Sequence, residues 1–140
     1  MELTIRKTTK PEDEEFVKAQ LIQYNLMAAP PVQSYISIPV NFVLESEEGN
    51  ISGGLLGKLY RGCLFIDILW VSEDIRGLGY GAKLLQQAEW VAKNQGCNFV
   101  HLDTFSFQAP NFYEKQGYEI FGVLDSYSSG IKRYFLKKDL

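Results

Sequence analysis

The 140 residues carry a formal net charge of −3, and 46% of them are hydrophobic and 22% charged. This length predicts a single domain, residues 1–140, that buries about two thirds of its unfolded surface and needs neither disulfides nor a metal ion to fold. The negative net charge argues against a nucleic-acid partner. The sequence shows no signal-peptide pattern and no apolar run of about 18 residues, which predicts a cytoplasmic protein without membrane contact.

Periodic apolar residues predict strands and helices in a definite order along the chain. The first strand is expected at Leu3–Thr8, where apolar and polar residues alternate. A helix should follow with Thr9 as its cap, Pro11 in its first turn and several acids at the positive end of its dipole, and Pro30 should end it. The later predicted strands are Val40–Glu45, Ile51–Tyr60, Cys63–Val71, Phe99–Thr104, Tyr118–Leu124 and Ile131–Lys137, and the later predicted helices are Ala82–Asn94 and Ala109–Gln116.

This order predicts a mixed α/β (α+β) fold with a mostly antiparallel sheet of about seven strands. Three consecutive strands joined by short turns form an antiparallel meander, and the next strand–helix–strand unit requires a right-handed parallel crossover. Helices are expected on both faces of the sheet. Gly53, Gly54 and Gly57 lower strand propensity or mark a bulge. Cys63 and Cys97 lie far apart without metal-ligand spacing, so we expect both to be reduced and structural, with no metal site.

A glycine-rich loop, Arg76–Gly81, lies between the buried strand that ends at Val71 and an amphipathic helix. The first N–H groups of a helix have no partner inside the helix, and the helix dipole is positive there. Glycines allow a positive φ and let an anion approach the backbone without meeting a Cβ. The loop therefore predicts a pyrophosphate site.

Three phosphate-binding patterns compete for this loop. A Walker loop requires Gly-Lys-Ser/Thr, which is absent. Gly77, Gly79 and Ala82 satisfy a dinucleotide fingerprint, which would indicate a nicotinamide-nucleotide oxidoreductase, but that loop should leave its strand almost at once and Ser72–Arg76 intervene. The third pattern, Q/R-x-x-G-x-G/A, is met by Arg76, Gly79 and Gly81 in register.

A second motif follows about 30 residues later, where Ala109–Tyr118 reads APNFYEKQGY. With the loop, it resembles the two motifs of the GNAT superfamily of N-acetyltransferases, whose second segment reads A-x-x-F-Y-E-K-x-G-[FY]. The resemblance covers roughly Cys63–Val123, and residues 1–60 match in layout only. It implies a GNAT-like sheet whose central parallel strands splay apart, and acetyl-CoA as co-substrate.

The resemblance also implies roles for individual residues. Tyr113 occupies the place of the tyrosine that protonates the leaving thiolate, and a phenol with a pKa near 10 is a reasonable acid for that step. Leu69 and Val71 would offer main-chain hydrogen bonds to the pantetheine arm. Ser106 stands where many members carry an asparagine that contacts this arm. The residues that the resemblance assigns to acetyl-CoA are Leu69, Trp70, Val71, Arg76, Gly77, Leu78, Gly79, Tyr80, Gly81, Ser106 and Ala109.

The implied reaction is direct attack of an amine on the thioester in a ternary complex, which needs a group that accepts a proton. Asp67 is the first candidate for base, water relay or amine anchor, since it is the one charge in its strand. Strand alternation places it on the face of Phe65 and Leu69. The other candidate bases are Asp103, Glu45 and His101.

The acceptor is predicted to be a primary amine of a small molecule with an apolar body. The alternative acceptor is a protein N-terminus or lysine. The acceptor pocket should be formed by residues 24–38, the strand of Asp67, and Asp125–Ile131, with Tyr127–Gly130 as a lid. The aromatic candidates for its walls are Tyr24, Tyr35, Trp70, Phe105 and Tyr127. A homodimer is possible. The alternative functions are a CoA-binding sensor or scaffold without turnover and the nicotinamide-nucleotide oxidoreductase.

Overall fold

The computed structural model describes residues 1–29 and 37–140, which divide into two compact units that we describe separately. In the first unit, helix α1 spans Pro11–Ala28 and carries acidic residues in its first turn. Lys10, and not Thr9, precedes the helix as its N-cap, without a side-chain hydrogen bond, while the Thr8 hydroxyl donates to the Asp13 carboxylate. The helix was therefore predicted correctly, but its cap was not. The single-domain organisation stays a prediction.

The predicted first strand, Leu3–Thr8, is wrong, because these residues have no regular secondary structure. A strand persists only when its backbone N–H and C=O groups bond to a neighbouring strand. Alternating side chains predict two faces but supply no such neighbour, and none of the strand pairs in the described residues includes this segment. Within the residues that the structure describes, the sheet consequently has six strands and not about seven.

The second unit is a mixed sheet with two α-helices, and its elements follow the predicted order. Their bounds are β1 Ile38–Glu45, β2 Ile51–Tyr60, β3 Cys63–Val71, α2 Tyr80–Asn94, β4 Phe99–Phe105, α3 Pro110–Lys115, β5 Glu119–Leu124 and β6 Arg133–Asp139. The spatial strand order is β1-β2-β3-β4-β6-β5, with every neighbouring pair antiparallel except β3 and β4. The mixed, mostly antiparallel sheet with a parallel centre is thus confirmed.

The core of this unit lies between the sheet and one face of α2. The buried residues of α2 recur at the three- and four-residue spacing that the sequence shows, and α3 adds Tyr113 to the same core. Each fully buried leucine contributes about 1.5–3 kcal/mol through removal of its side chain from water. The residues of this core that are almost fully buried include Leu55, Leu64, Leu85, Ala88, Val100, Leu102 and Leu136.

Both cysteines of the unit are free, Cys63 buried and Cys97 partly buried, as predicted. Gly96, at φ 81°, ends α2, and the Cys97 N–H donates to the Ala92 carbonyl at 3.0 Å, which closes the helix. None of the helices in the described part of the chain has the length and apolar character to cross a membrane.

A hydrogen-bonded cluster around Glu89 joins α2 to the sheet. The Tyr118 hydroxyl donates to one oxygen of Glu89 at 2.6 Å, and the Lys138 ammonium donates to the other at 3.0 Å. Tyr118 is buried, and this burial, together with the Glu89 carboxylate, raises the pKa of its hydroxyl. The cluster therefore places a charged acceptor where a buried phenol needs one.

We expect Tyr118→Phe to lower the free energy of unfolding by about 2 kcal/mol at pH 7, since it removes a hydrogen bond to a charged group. Urea unfolding measures this loss. Because the pKa of Tyr118 is raised in the folded state, its contribution is complete below the unfolded value of about 10 and is lost as the pH rises above that value. The difference between wild type and variant should therefore shrink above pH about 10. An unchanged difference at high pH would contradict this assignment.

Candidate functional site

The two central strands part along their length. β3 and β4 pair only through Cys63–Phe99, Leu64–Val100 and Phe65–His101, at the start of each strand. Beyond Phe65 and His101, the ladder between them ends within the described residues. The splayed central parallel strands that the resemblance implied are therefore present, and they leave an open edge on each strand.

The open edge of β3 presents main-chain groups of Leu69 and Val71. The Ser72 N–H donates to the Ser52 carbonyl at 2.7 Å, on the side of β2. The register between β2 and β3 is regular from Ile68 to Val71, and successive residues direct their hydrogen-bonding groups to opposite sides. Leu69 and Val71 consequently direct theirs toward the opening, and a ligand with amide groups satisfies such an edge. Their contact with the pantetheine arm stays a prediction.

The glycine-rich loop lies at the end of this edge. A short 3-10 helix, Glu73–Ile75, follows β3, and the Arg76 Nε donates back to the Val71 carbonyl at 3.0 Å. Within the described chain the terminal nitrogens of Arg76 have no protein partner, and the side chain is exposed. One end of Arg76 thus anchors the loop to the strand, and the other is free for an anion.

The loop glycines adopt the backbone conformation that an anion site requires. Gly77 and Gly79 have φ of 80° and 87°, and a Cβ added at either would meet no atom within 4 Å. Gly79 is the N-cap of α2, and the first turn of this helix contains no acidic residue. The first helical hydrogen bond joins the Lys83 N–H to the Gly79 carbonyl at 3.1 Å. The N–H groups of the preceding residues of α2 are therefore free to bind an anion at the positive end of the helix dipole.

The dinucleotide fingerprint does not fit this local geometry. In that motif the glycines follow their strand almost directly. Here the 3-10 helix lies between β3 and the glycines. Gly81, the last glycine of the loop, packs against α3 instead: a Cβ at this position would lie 3.3 Å from the Phe112 ring.

Tyr113 is buried in the core between α2 and the sheet, with 8% of its surface exposed. Its ring packs edge-on against Phe112 and Tyr118. Burial raises the pKa of its hydroxyl to about 12. Among the described residues no protein group bonds this hydroxyl, and every fully occluded side-chain polar atom there has a partner, so the hydroxyl retains contact with solvent. It is thus a protonated donor without an internal acceptor.

Asp67 lies at a β-bulge in β3. Leu56 pairs with Ile68 and the next residue, Gly57, pairs with Ile66, so Asp67 is the extra residue. A Cβ at Gly57 would lie 2.9 Å from the Phe65 carbonyl oxygen, which explains the glycine opposite the bulge. The predicted alternation was therefore wrong: the bulge shifts the pattern, so that Ile66 and Leu69 pack on the core and Phe65 lies on the other face. Asp67 is exposed.

The other candidate bases have structural partners or lie away from the opening. Asp103 forms an ion pair with Arg133 at 2.8 Å. His101 contacts the rings of Phe65 and Phe99 and lies 3.4 Å from the Tyr60 hydroxyl, and burial lowers its pKa despite the opposing effect of Asp103. Glu45 ends β1, two strands from β3. Of the four candidate bases, Asp67 is thus the one next to the opening whose side chain has no protein partner in the described residues.

The segment that follows β4 is tied to its neighbours by hydrogen bonds that the sequence did not predict. The Ser106 N–H donates to the Lys132 carbonyl at 2.8 Å, and the Ser106 hydroxyl accepts the Lys132 N–H at 3.0 Å. Gln108 accepts the Phe105 N–H at 2.7 Å and the hydroxyl of buried Thr104 at 3.1 Å. Ser106 can still donate its own proton to a ligand. Ala109 is the N-cap of α3.

The aromatic residues predicted for the acceptor pocket are distributed over both units. Phe105 and Tyr127 contact each other edge-on, with centroids 5.4 Å apart. Trp70 lies near the end of β3 and is half exposed. Tyr24 lies on α1 in the other unit, and Tyr35 lies outside the described residues. The predicted lid contains a 3-10 helix, Ser128–Gly130, and its role as a lid stays a prediction.

Comparison with known proteins adds an independent result. The sequence model of the acetyltransferase (GNAT) family matches residues 3–118. Blasticidin-S acetyltransferase of Streptomyces morookaense is 34% identical over 116 residues, 82% of each chain. A crystal structure of an acetyltransferase from Bacillus cereus superposes with a TM-score of 0.90, at 39% identity and over 98% of each chain. A Bacillus anthracis protein described as a streptothricin acetyltransferase, solved with acetyl coenzyme A, has a TM-score of 0.66 at 21% identity, over 79% of this chain and 66% of its own.

Proposed function

Because this chain belongs to the GNAT family and is an acetyl-CoA-dependent N-acetyltransferase, we propose that it transfers the acetyl group to a primary amine of a small molecule. The amine attacks the thioester directly while both substrates are bound. The nearby aromatic side chains, the net charge of −3 and the small-molecule name of one relative support a small cationic acceptor. We place the reaction in the cytoplasm, and a homodimer remains a prediction.

The observation that carries the proposal is the continuity of two surfaces with unpaired main-chain groups. The edge of β3 presents the N–H and C=O of Leu69 and the N–H of Val71, whose carbonyl accepts from Arg76. The loop at its end presents the N-terminus of α2 behind Gly77 and Gly79. An amide-bearing arm that ends in a pyrophosphate satisfies both, and acetyl-CoA has this chemistry. In this proposal Arg76 and the loop hold the pyrophosphate, while Ser106 donates to the arm.

Acetyl-CoA supplies an acyl carbon activated by a thiolate leaving group. The amine nitrogen forms a bond to that carbon, the carbon–sulfur bond breaks, and the nitrogen loses a proton. We assign the proton to Asp67, directly or through water, because its carboxylate is exposed beside the opening and has no protein partner there. We assign Tyr113 to the departing sulfur as a hydrogen-bond donor.

Thiol release tests the proposed function. Purified protein is incubated with acetyl-CoA and a panel of amines that includes blasticidin S, small aromatic and aliphatic amines, and a peptide with a free N-terminus and lysine. Release with a small amine, and none with the peptide, is the expected result. Release with the peptide alone would overturn the small-molecule assignment, and binding of acetyl-CoA without turnover would favour a CoA sensor.

Asp67→Asn should lower kcat about a hundredfold at pH 7, since general-base catalysis contributes about 10²–10⁴-fold. The affinity of the variant for acetyl-CoA should stay unchanged. Glu47→Gln, in the turn after β1, is the matched control for loss of one surface carboxylate. A raised KM with an unchanged kcat would show that Asp67 anchors the amine and does not accept its proton.

A further inference from the structure

Three aromatic rings cluster at the end of β4, and we call Phe105, Phe107 and Tyr127 the ring patch. Phe107 lies nearly parallel to Phe105, with an interplanar angle of 13° and centroids 5.4 Å apart. Tyr127 meets Phe105 edge-on at 5.4 Å. Phe107 is 68% exposed, so most of the ring is open to solvent. A contiguous exposed apolar patch rimmed by polar residues is typical of a ligand-binding or interaction surface.

The ring patch is held in place by contacts with β4 and β6, the two strands that border it. The Arg133 guanidinium lies 5.6 Å from the Phe105 ring and pairs with Asp103 at 2.8 Å. The same guanidinium lies 3.4 Å from the Tyr127 hydroxyl. The backbone on either side of Phe107 is pinned by the bonds of Ser106 to Lys132 and of Gln108 to Phe105. When a ligand docks on such a preformed surface, little binding free energy is spent on ordering the protein.

The location of the ring patch connects it to the acetyl-transfer site. β4 has left β3 after His101, so Phe105, its last residue, borders the opened part of the sheet. Phe105 also alternates with buried Leu102 and Thr104, which places its side chain on the face of the sheet away from the core. The open edge of β3 and Phe105, one member of the ring patch, thus border the same opening.

On these observations, and resting on the proposed function, we propose that the ring patch receives a planar aromatic or heteroaromatic ring of the acceptor. The enzyme then selects amines tethered to such a ring over saturated amines of the same size. Three rings beside the charged side chains of Asp103 and Arg133 offer an area below the roughly 800 Å² per partner of a stable protein interface. Parallel ring surfaces favour a planar partner by dispersion and quadrupole effects.

The experiment compares two amines that differ only in the ring, 2-phenylethylamine and 2-cyclohexylethylamine, with three proteins. Wild type should show kcat/KM about tenfold higher for the aromatic amine. Phe107→Leu, which keeps an apolar side chain but no ring, should reduce that ratio to about one through a raised KM. Phe107→Tyr, which keeps the ring, should retain the ratio. Phe107 is exposed, so all three proteins should fold and bind acetyl-CoA equally.

A wild-type ratio near one, a ratio that Phe107→Leu leaves unchanged, or no turnover of either amine by protein that binds acetyl-CoA would each overturn the inference. These outcomes leave the proposed acetyl transfer standing if another amine in the panel reacts. Failure of the wild type to bind acetyl-CoA is a different result, and it would overturn the proposed function itself.

Discussion

Gly79→Asp is expected to weaken acetyl-CoA binding about a hundredfold, and Gly79→Asn should weaken it far less. Gly79 is the N-cap of α2 at φ 87°, a conformation that asparagine and aspartate tolerate better than other non-glycine residues. The two side chains have nearly the same size and differ by one negative charge. If the loop binds a pyrophosphate, the added carboxylate repels it at short range, where unit charges interact by several kcal/mol at an intermediate effective dielectric.

The measurement is calorimetric titration of wild type and both variants with acetyl-CoA, with NAD as a parallel ligand. The space around Gly79 allows either side chain, since a Cβ there meets nothing within 4 Å. Differences in affinity therefore report on the ligand and not on packing. Thermal unfolding of the two variants provides the folding control. Equal loss of affinity in both variants would show that the size of the added side chain, and not its charge, weakens acetyl-CoA binding. No anion would then bind at the loop.

The part of the chain after residue 37 was predicted closely because local signals agree with tertiary structure there. Cys63–Val71 was predicted with the observed bounds. The predicted ends of the other helices and strands in this part differ from the observed ends by two residues or fewer. Apolar periodicity reports burial directly, and glycines at positive φ, such as Gly96, mark the ends of helices. The glycine loop was predictable for the same reason, since glycine adopts the positive φ that its geometry requires at the lowest steric cost.

The failures concern properties that arise only between elements. Alternation in Leu3–Thr8 satisfied the pattern of a strand but could not supply a partner strand. The bulge at Asp67 is a property of the register between β2 and β3, so strict alternation assigned Phe65 and Leu69 to the same face. The bond from Arg76 to Val71 and the bonds of Gln108 likewise depend on how a loop folds back, which residue identity does not specify.

Burial also changes the chemistry expected of Tyr113. The sequence alone predicts a phenol with a pKa near 10, comparable to that of the leaving thiol. In the structure, burial raises its pKa to about 12. Full proton transfer to a thiolate whose conjugate acid has a pKa of about 8.5 would then be uphill by about 4–5 kcal/mol, at about 1.4 kcal/mol per unit. Hydrogen-bond donation to the developing thiolate requires no such transfer.

Tyr113→Phe should therefore lower kcat about a hundredfold, since one donor aimed at a developing anion contributes about 2.7–4 kcal/mol. Acetyl-CoA affinity should remain, because the ring and its contacts with Phe112 and Tyr118 are preserved. The raised pKa adds a second expectation. Tyr113 keeps its proton well above the ordinary tyrosine value, so the ratio of wild-type to variant kcat should stay constant from pH 7 to about 10.5, where an unperturbed tyrosine would have lost most of its advantage.

Tyr118→Phe is the control, because it removes a buried hydroxyl from the adjacent tyrosine, one that is bonded to Glu89 and has no assigned part in the reaction. It should lower stability and leave kcat unchanged. If both variants lost activity in parallel with their stability, the effect at Tyr113 would be one of folding. If the Tyr113 variant instead raised KM for the amine at constant kcat, its hydroxyl would bind the acceptor, and the leaving sulfur would depart without help from this side chain.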